Sequence, residues 1–313
     1  MNTVSNKVLV IIGPTGVGKT ALLQKLAEDD RLKRPVVVVS ADSVQAYRGL
    51  DIGSAKPSAA EQKTLPHLLI DILDPSENYS LGTFVRLADE ACEKVCASGG
   101  LPVLSGGTAY YVKAFLYGPV NTPKADPSIR EEVKQAIQKN GIAAAYQELS
   151  AVDPGYAAKI APQDSYRIAR AIEVYKSSGR PLSSYALPQS LRAKWDCLVI
   201  GLDRPREELY SRIDQRVELM FEAGLAEELK GLVDKGYRQN DPGMKAIGYS
   251  EFFASGNVDT VKEEIKKHTR QYAKRQLTFM RSFRNMLWAG ADDYKTVTDS
   301  ILAWLQEALV NKT

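Results

Sequence analysis

Apolar runs alternate with amphipathic helical patterns over the first 120 residues of the chain. Each run has the length and composition of a buried parallel strand, and the runs lie at residues 8–12, 36–39, 67–71 and 101–105. Helical patterns with one apolar face separate them, as at residues 83–97 and 109–117. Because strands and helices alternate, we expect an α/β fold with a parallel sheet flanked by helices.

The pattern changes near residue 121. Helical stretches at about 127–140, 142–150 and 164–177 follow one another without an intervening strand pattern. A strand returns at residues 195–202, and long C-terminal helices follow, the basic one predicted over about 258–288. We therefore expect an all-helical insertion domain, of the kind that acts as a lid or clamp, within a catalytic core. The predicted core is residues 1–120 with 196–313, and the insertion is residues 121–195.

Composition is that of an ordinary soluble protein. Hydrophobic residues make up 44% and charged residues 25% of the 313 positions. No apolar run approaches the ~20 residues of a membrane span, and residues 1–7 lack the apolar core of a signal peptide. We expect a cytoplasmic protein without membrane contact, and nothing indicates an obligate oligomer, so we expect a monomer.

Three cysteines offer little metal-binding chemistry. Cys92 and Cys96 lie four residues apart on a predicted helix, and Cys197 stands alone. No further cluster of Cys or His completes a site, so buried small side chains are favoured over half of a metal site.

Positive charge is concentrated near the C-terminus. Seven basic residues and no acidic one lie between Ile265 and Gly290: Lys266, Lys267, Arg270, Lys274, Arg275, Arg281 and Arg284. Such a stretch suits a polyanion such as RNA. Charge alone fits equally well with a solvated helix face.

A phosphate-binding loop follows the first strand. It has the pattern G-x-x-x-x-G-K-T and comprises Gly13, Pro14, Thr15, Gly16, Val17, Gly18, Lys19 and Thr20. Its place between a strand and a helix is the context this motif requires. Backbone N–H groups and the helix N-terminus favour an anion, and Lys19 adds a full charge. Thr20 is placed to bind Mg²⁺, which we predict as the cofactor. The motif predicts a P-loop NTPase-like sheet that binds di- or triphosphate.

Polar residues follow other predicted strands at the same edge of the sheet. Asp42 and Ser43 come after the second strand, and residues 106–108 make a tight turn after the fourth. Arg212 and Arg216 share one face of a later helix. They form either a surface ion-pair ladder with Glu208, which the spacing alone favours, or a second cationic clamp on phosphate.

Several motifs together resemble the bacterial tRNA dimethylallyltransferases. They are residues 13–20, 42–57 with the run D-I-G-S-A-K-P, G-G-T-x-x-Y at 106–111, R-I-x-x-R at 212–216, K-A-I-G-Y at 245–249 and A-K-R-Q at 273–276. They occur in the family's order and span most of the chain.

The resemblance implies transfer of a dimethylallyl group from dimethylallyl diphosphate to N6 of adenosine 37, in tRNAs that read codons beginning with U. The phosphate loop would hold the diphosphate leaving group. Lys19, Thr108, Arg216 and Thr20 with Mg²⁺ would neutralise its growing charge. Asp42 would orient N6 and act as general base, a role favoured over that of a ligand to Mg²⁺-bound water.

The family resemblance also implies a channel that the tRNA anticodon stem-loop and the diphosphate enter from opposite ends, with the target base extruded into the protein. Implied RNA contacts on the core are Asp42, Ser43, Val44, Gln45, Lys245, Ala246, Ile247, Gly248 and Tyr249. Implied contacts on the insertion are Asp164, Ser165, Tyr166, Arg167 and Arg170.

Three alternatives stay open at this point. A small-molecule kinase would turn over ATP without RNA, and a second possibility is prenylation of free adenine nucleotides. The third is a nucleotide-gated RNA-binding switch without a covalent product. The basic helix and the glycine-containing segments fit a kinase poorly. The helical insertion and the basic helix speak against prenylation of free nucleotides, because a mononucleotide needs neither. Whether ATP binds at all is left open, because diphosphate satisfies the phosphate loop.

Overall fold

A computed structural model describes residues 6–119, 122–123, 126–185, 188 and 190–310, with side chains described through residue 306. By contact, the chain divides into two compact units. The first comprises Met1–Gly118 with Arg192–Thr313, and the second comprises Pro119–Leu191.

A parallel six-stranded sheet forms the centre of the first unit. In chain order its strands are β1 (Lys7–Ile12), β2 (Val36–Ser40), β3 (His67–Leu68), β4 (Leu101–Gly106), β5 (Asp196–Asp203) and β6 (Leu287–Gly290). Their spatial order is β3-β2-β4-β1-β5-β6. Every residue of β1 and of β4 is buried, as expected for central parallel strands covered on both faces.

Helices cover the sheet. Those of the first unit are α1 (Lys19–Ala27), α2 (Ala59–Thr64), α3 (Leu81–Ala97), α4 (Ala109–Tyr117), α8 (Arg206–Glu222), α9 (Leu225–Asp234), α10 (Ser250–Ala254), α11 (Val258–Met280) and α12 (Tyr294–Val310). The second unit contains α5 (Pro127–Val152), α6 (Pro154–Ala157) and α7 (Ser165–Ser178). Short 3₁₀ turns lie at Asp30–Leu32, Leu182–Ser184 and Gly243–Lys245. The predicted P-loop NTPase-like α/β class is confirmed.

The second unit has its own apolar core. Val133 and Leu149 of α5 pack with Ile168 and Ile172 of α7. Gly141 interrupts α5 with a φ of 81°, a backbone conformation that favours glycine. Among the described residues of this unit the regular structure is helical.

Two predictions of regular structure need correction, one of a strand and one of a helix. The third strand pairs only over His67–Leu68, because Leu69 and Asp71 adopt positive φ values of 65° and 54° that end the extended run. The predicted helix over 258–288 is wrong at its end. The helix stops at Met280, and Leu287–Gly290 instead forms the edge strand β6 against β5. A four-residue edge strand is too short to show a pattern in the sequence.

Two apolar clusters organise the first unit. One surrounds the sheet and includes Leu9, Ile11, Leu26 and Leu202. The other lies beneath the segment after β2, where Leu50 packs with residues of α8 to α11. Among the described residues, no helix combines the length and apolar character needed to cross a bilayer.

The ends of β2 and β4 approach each other closely. The N–H of Ala41 donates to the Ser105 carbonyl at 2.8 Å, and the Thr108 N–H donates back to the Ala41 carbonyl at 3.1 Å. A Cβ on Gly106 would lie 2.2 Å from the Ala41 oxygen. Because backbone cannot move aside as a side chain can, this contact requires glycine.

We therefore expect Gly106→Ala to lower the free energy of unfolding by ~3 kcal/mol, since overpacking against backbone forces the two strand ends apart. Urea unfolding followed by circular dichroism measures this change. Gly231→Ala in α9 is the control, because its added Cβ meets nothing within 4 Å. It should be neutral or stabilising by up to ~1 kcal/mol. Equal stability of the two variants would contradict the expectation that the Ala41 backbone leaves no room for a side chain at residue 106.

Candidate active site

The phosphate loop joins β1 to α1 and curls through glycine conformations. Gly16 and Gly18 have φ values of 80° and 117°, which side-chain-bearing residues rarely adopt. The Lys19 ammonium folds back over the loop and donates to the carbonyls of Gly13 at 2.8 Å and Pro14 at 2.9 Å. Thr20 is exposed at the start of α1. The loop thus has the backbone shape that the sequence motif predicts.

Burial lowers the pKa of Lys19. Desolvation, and then the nearby Arg216 cation, lower the pKa of Lys19 to about 8, while Asp42 opposes the shift. Burial also lowers the pKa of Arg216, which Asp42 raises again. The pKa of Lys19 thus responds to both Arg216 and Asp42, which places the three side chains close together.

Asp42 and Thr108 lie in two turns, after β2 and after β4, that hydrogen bonds join. Asp42 Oδ1 accepts from the N–H groups of Val44 at 2.9 Å and Gln45 at 3.3 Å. Thr108 Oγ1 accepts from the Ser43 N–H at 3.0 Å and donates to Ser43 Oγ at 3.2 Å. No described residue donates a hydrogen bond to Asp42 Oδ2. One carboxylate oxygen is therefore fixed by backbone while the other remains open to a ligand.

Arg212 and Arg216 of α8 approach the phosphate loop. Arg212 Nε donates to the Gly16 carbonyl at 2.9 Å. Glu208, the expected partner in a surface ladder, instead pairs with Arg204. Arg216 forms no ion pair with the described residues. The geometry therefore favours the cationic clamp over the ion-pair ladder.

Gln45 connects this turn to the segment that follows it. Its side-chain oxygen accepts from Ser40 Oγ at 3.1 Å, and its amide donates to the Ala55 carbonyl at 3.3 Å. Lys56 is almost fully buried and contacts Asp51 and Asp71, each at 2.5 Å. The D-I-G-S-A-K-P run is thus a scaffold that holds Gln45.

Glu228 of α9 anchors the same segment. Its carboxylate accepts from the N–H groups of Asp51 at 3.0 Å, Ile52 at 2.8 Å and Gly53 at 3.3 Å, and from the Tyr249 hydroxyl at 2.7 Å. Nothing in the sequence around Glu228 indicates this role, because its backbone partners lie 175 to 177 residues away.

The K-A-I-G-Y stretch mostly faces inward. Tyr249 is completely buried, and its ring lies where a Cβ on Gly53 would be, at 2.6 Å. Gly248 is also buried, Ala246 and Ile247 are half-buried, and Lys245 is exposed. The Tyr249 side chain therefore packs the loop, contrary to its predicted place at an RNA-facing surface.

The predicted contacts of the second unit lie at the start of α7. Asp164 caps this helix by accepting from the Arg167 N–H at 3.1 Å and also pairs with the Arg167 side chain. Tyr166 is 80% exposed, and Ser165 is exposed. Arg170 donates to Thr122 Oγ1 at 3.1 Å and to the Pro123 carbonyl at 3.0 Å, so its role includes holding the preceding chain.

The basic stretch divides into two parts. Lys266, Lys267 and Arg270 pair with carboxylates of Glu218, Glu264 and Asp214. The remaining four cations are exposed and form no ion pair with the described residues; they are Lys274, Arg275, Arg281 and Arg284. The first part is thus an ion-paired helix face, and the second part is available to a polyanion.

Two residues of α11 contact the turn after β4, and neither was predicted at the active site. Tyr272 OH donates to the Gly107 carbonyl at 3.5 Å, and burial followed by the Asp42 charge raises the pKa of Tyr272 to about 12. Gln276 donates to the same carbonyl at 2.6 Å and accepts from the Thr15 N–H at 2.9 Å. Gln276 is the last residue of the A-K-R-Q motif, and this motif was the sequence feature that could have indicated its role.

The cysteines are structural. Cys92 and Cys96 are buried, and burial raises the pKa of both thiols. Within the described part of the chain, no group of three His, Cys, Asp or Glu residues is arranged to hold a metal ion.

Fold and site together define an α/β enzyme with a phosphate-binding loop beside a carboxylate. Residues 45–283 match the family described as IPP transferase, and residues 6–75 match that described as Isopentenyl transferase. The chain belongs to the IPP transferase family, which confirms the resemblance.

Relatives match over almost the whole chain. The tRNA dimethylallyltransferase 2 of Geotalea uraniireducens is 38% identical and covers 95% of this chain and 96% of its own. The tRNA dimethylallyltransferase of Geobacillus kaustophilus is 40% identical, with 92% of each covered.

Solved structures of similar proteins share the fold. The full-length tRNA isopentenylpyrophosphate transferase of Bacillus halodurans has a TM-score of 0.71 at 36% identity, covering 99% of this chain and 100% of that one. A eukaryotic dimethylallyltransferase acting on tRNA has a TM-score of 0.76 at 28% identity, covering 93% and 75%.

We expect inorganic diphosphate to bind more weakly as the pH rises through about 8, where free Lys19 loses its proton. Above this pKa, binding to the ammonium form must take up a proton, so affinity falls by up to about tenfold per pH unit. Isothermal titration calorimetry between pH 7 and 9 measures this affinity. Lys19→Ala should bind weakly with a flatter profile, and the exposed-site control Lys63→Ala should match the wild type. A wild-type profile identical to that of Lys19→Ala would contradict this assignment.

We expect Glu228→Ala to destabilise the protein by about 2–4 kcal/mol, because several backbone N–H groups lose a charged acceptor. Chemical unfolding measures the change. Glu227→Ala is the matched control, since Glu227 is the exposed neighbour on α9. Similar stability of both variants would show that solvent replaces Glu228 at little cost.

Proposed function

We propose that this chain transfers the dimethylallyl group of dimethylallyl diphosphate to N6 of adenosine 37 in tRNAs that read codons beginning with U, and releases diphosphate. The observation that carries the proposal is the convergence of the phosphate loop, Arg216 and the Asp42 carboxylate in one site. The names of the relatives, which include tRNA dimethylallyltransferase, support the same reaction.

The cationic groups would stabilise the leaving group. Diphosphate gains negative charge as the allylic C–O bond breaks, and Lys19 and Arg216 are half-buried cations in the same site. In a partly desolvated site such charges stabilise the transition state more strongly than in water. Thr108, whose oxygen is held by the Ser43 N–H, would turn its one hydroxyl proton from Ser43 Oγ to the diphosphate.

Asp42 would accept the proton that N6 loses. As the N6–C bond forms, the adenine amine becomes cationic and its proton becomes acidic, so an ordinary carboxylate suffices as base. Oδ1 is occupied by two backbone N–H groups, which leaves Oδ2 to face the amine. Placing the weakly nucleophilic amine in line with the allylic carbon would contribute more than basicity.

Mg²⁺ fits the oxygen donors at the loop. Thr20 offers an exposed hydroxyl at the start of α1, and Mg²⁺ prefers few protein ligands completed by phosphate oxygens and water. When bound there, the ion would neutralise charge on the diphosphate. The proposal requires no ATP.

The tRNA would meet exposed cations on each unit. On the first unit these are Lys245 and the four unpaired cations Lys274, Arg275, Arg281 and Arg284, and on the second unit Arg167 is exposed. Backbone contacts of this kind carry little sequence information and make affinity fall with salt. We propose that the enzyme acts as a cytoplasmic monomer.

We expect purified protein with Mg²⁺ to move radiolabel from dimethylallyl diphosphate into an unmodified tRNA containing A36-A37-A38. Asp42→Asn should lower the turnover number at least about 100-fold, because it removes the base while keeping the hydrogen bonds to Oδ1. The exposed-site control Asp234→Asn should retain activity. Filter-bound label over time measures the rate.

Parallel reactions with AMP and ATP as acceptors test the alternatives. Label only in a free nucleotide would replace the tRNA proposal with nucleotide prenylation. ATP hydrolysis or phosphoryl transfer without any labelled product would indicate the kinase. Nucleotide-dependent RNA binding without a labelled product would indicate the switch.

A further inference from the structure

One buried amide joins three segments of the active site that are far apart in the sequence. Gln276 on α11 is 3% exposed. Its Oε1 accepts from the Thr15 N–H of the phosphate loop at 2.9 Å, and its Nε2 donates to the Gly107 carbonyl of the turn after β4 at 2.6 Å. The two contacts span 261 and 169 residues of sequence.

The hydrogen-bonding groups of the two partners explain why residue 276 is a glutamine. The Thr15 N–H requires an acceptor and the Gly107 carbonyl requires a donor, and a primary amide supplies both at the end of one side chain. The fit is tight, because a Cβ on Gly107 would lie 2.7 Å from Gln276 Nε2. The same Cβ would lie 3.6 Å from Asp42 Oδ2, so the amide lies close to the carboxylate of the site.

We propose that Gln276 is a positioning residue for diphosphate binding. It fixes the first half of the phosphate loop relative to the turn that carries Thr108, and so sets where Lys19 lies relative to Asp42 and Thr108. Gln276 itself does not contact the diphosphate. The inference rests on the proposed function only in taking diphosphate as the ligand of the loop.

Two substitutions of similar volume separate the two hydrogen bonds. Gln276→Glu keeps an acceptor for the Thr15 N–H but replaces the donor to Gly107 by an oxygen that repels the carbonyl. Gln276→Met removes both hydrogen bonds. Gln271→Glu is the control, because Gln271 is exposed on the same helix and this substitution adds the same charge.

Calorimetry measures the affinity of each variant for inorganic diphosphate in the presence of Mg²⁺. Each affinity is then expressed as a ratio to the wild-type affinity at the same pH. At pH 8 we expect Gln276→Glu to bind about tenfold more weakly, the effect of losing one buried hydrogen bond. Burial beside a carbonyl raises the pKa of the introduced carboxyl. At pH 6 its protonated form donates to Gly107, and the ratio should return toward one.

Other titratable groups around the amide are common to all the proteins. Asp42 lies beside Gly107, Tyr272 donates to the same carbonyl, and Lys19 lies in the loop. Titration of these groups affects the wild type and the variants alike, so its effect largely cancels in the ratio of affinities. Gln276→Met should be about tenfold weaker at both pH values, with no recovery.

Steady-state kinetics gives a second measurement. We expect both variants at Gln276 to raise KM for dimethylallyl diphosphate while leaving KM for tRNA near the wild-type value. A merely structural role would lower the melting temperature without this selective change. If Gln276→Glu does not fold, the affinity and KM values of Gln276→Met still test the proposal.

Wild-type diphosphate affinity in both variants would overturn the proposal, and so would a Gln276→Glu ratio that stays constant from pH 8 to pH 6. Failure of the proposed function is a separate result: wild-type protein would bind diphosphate yet label no tRNA. The affinity comparison at Gln276 keeps its meaning in that case.

Discussion

The active site depends on positive charge that the protein leaves incompletely neutralised. Lys19 and Arg216 are partly removed from water, which lowers the pKa of both. The Arg216 cation lowers the pKa of Lys19 further, and the Arg212 cation lowers that of Arg216. The Asp42 carboxylate opposes these shifts but adds only one negative charge. An anion with several negative charges would relieve the repulsion and replace the lost hydration. Hydrogen bonds to the loop carbonyls of Gly13 and Pro14 hold the Lys19 ammonium in place.

Such a site needs a rigid frame, and buried polar contacts supply it. Glu228 holds the chain at residues 51–53, and Lys56 holds the same segment through Asp51 and Asp71. The segment positions Gln45, whose N–H helps to orient Asp42. These groups satisfy one another's hydrogen bonds, so losing one leaves its partners unpaired at a cost that can exceed what the bond itself contributes.

The same reasoning explains why polar residues of the family-like motifs often face inward. Tyr249 was expected beside RNA but packs against Gly53 and donates to Glu228. Gln276 lies within a basic motif yet points away from solvent to the phosphate loop. The exposed cations around it, such as Lys274 and Arg275, are the ones free to meet a polyanion.

Local sequence patterns were enough to predict five of the six strands, the phosphate loop and the family. Local chemistry carries these features, because apolar runs specify buried strands and G-x-x-x-x-G-K-T specifies a loop that binds phosphate. Tertiary packing was needed to make residues 287–290 a strand, since pairing with β5 supplies the hydrogen bonds that so short a segment cannot supply alone. It also decided the partners of Glu228, Arg216 and Gln276. Glu228 and Gln276 bind backbone groups, and Arg216 lies near Lys19, across more than 150 residues of chain, a separation that no local pattern records.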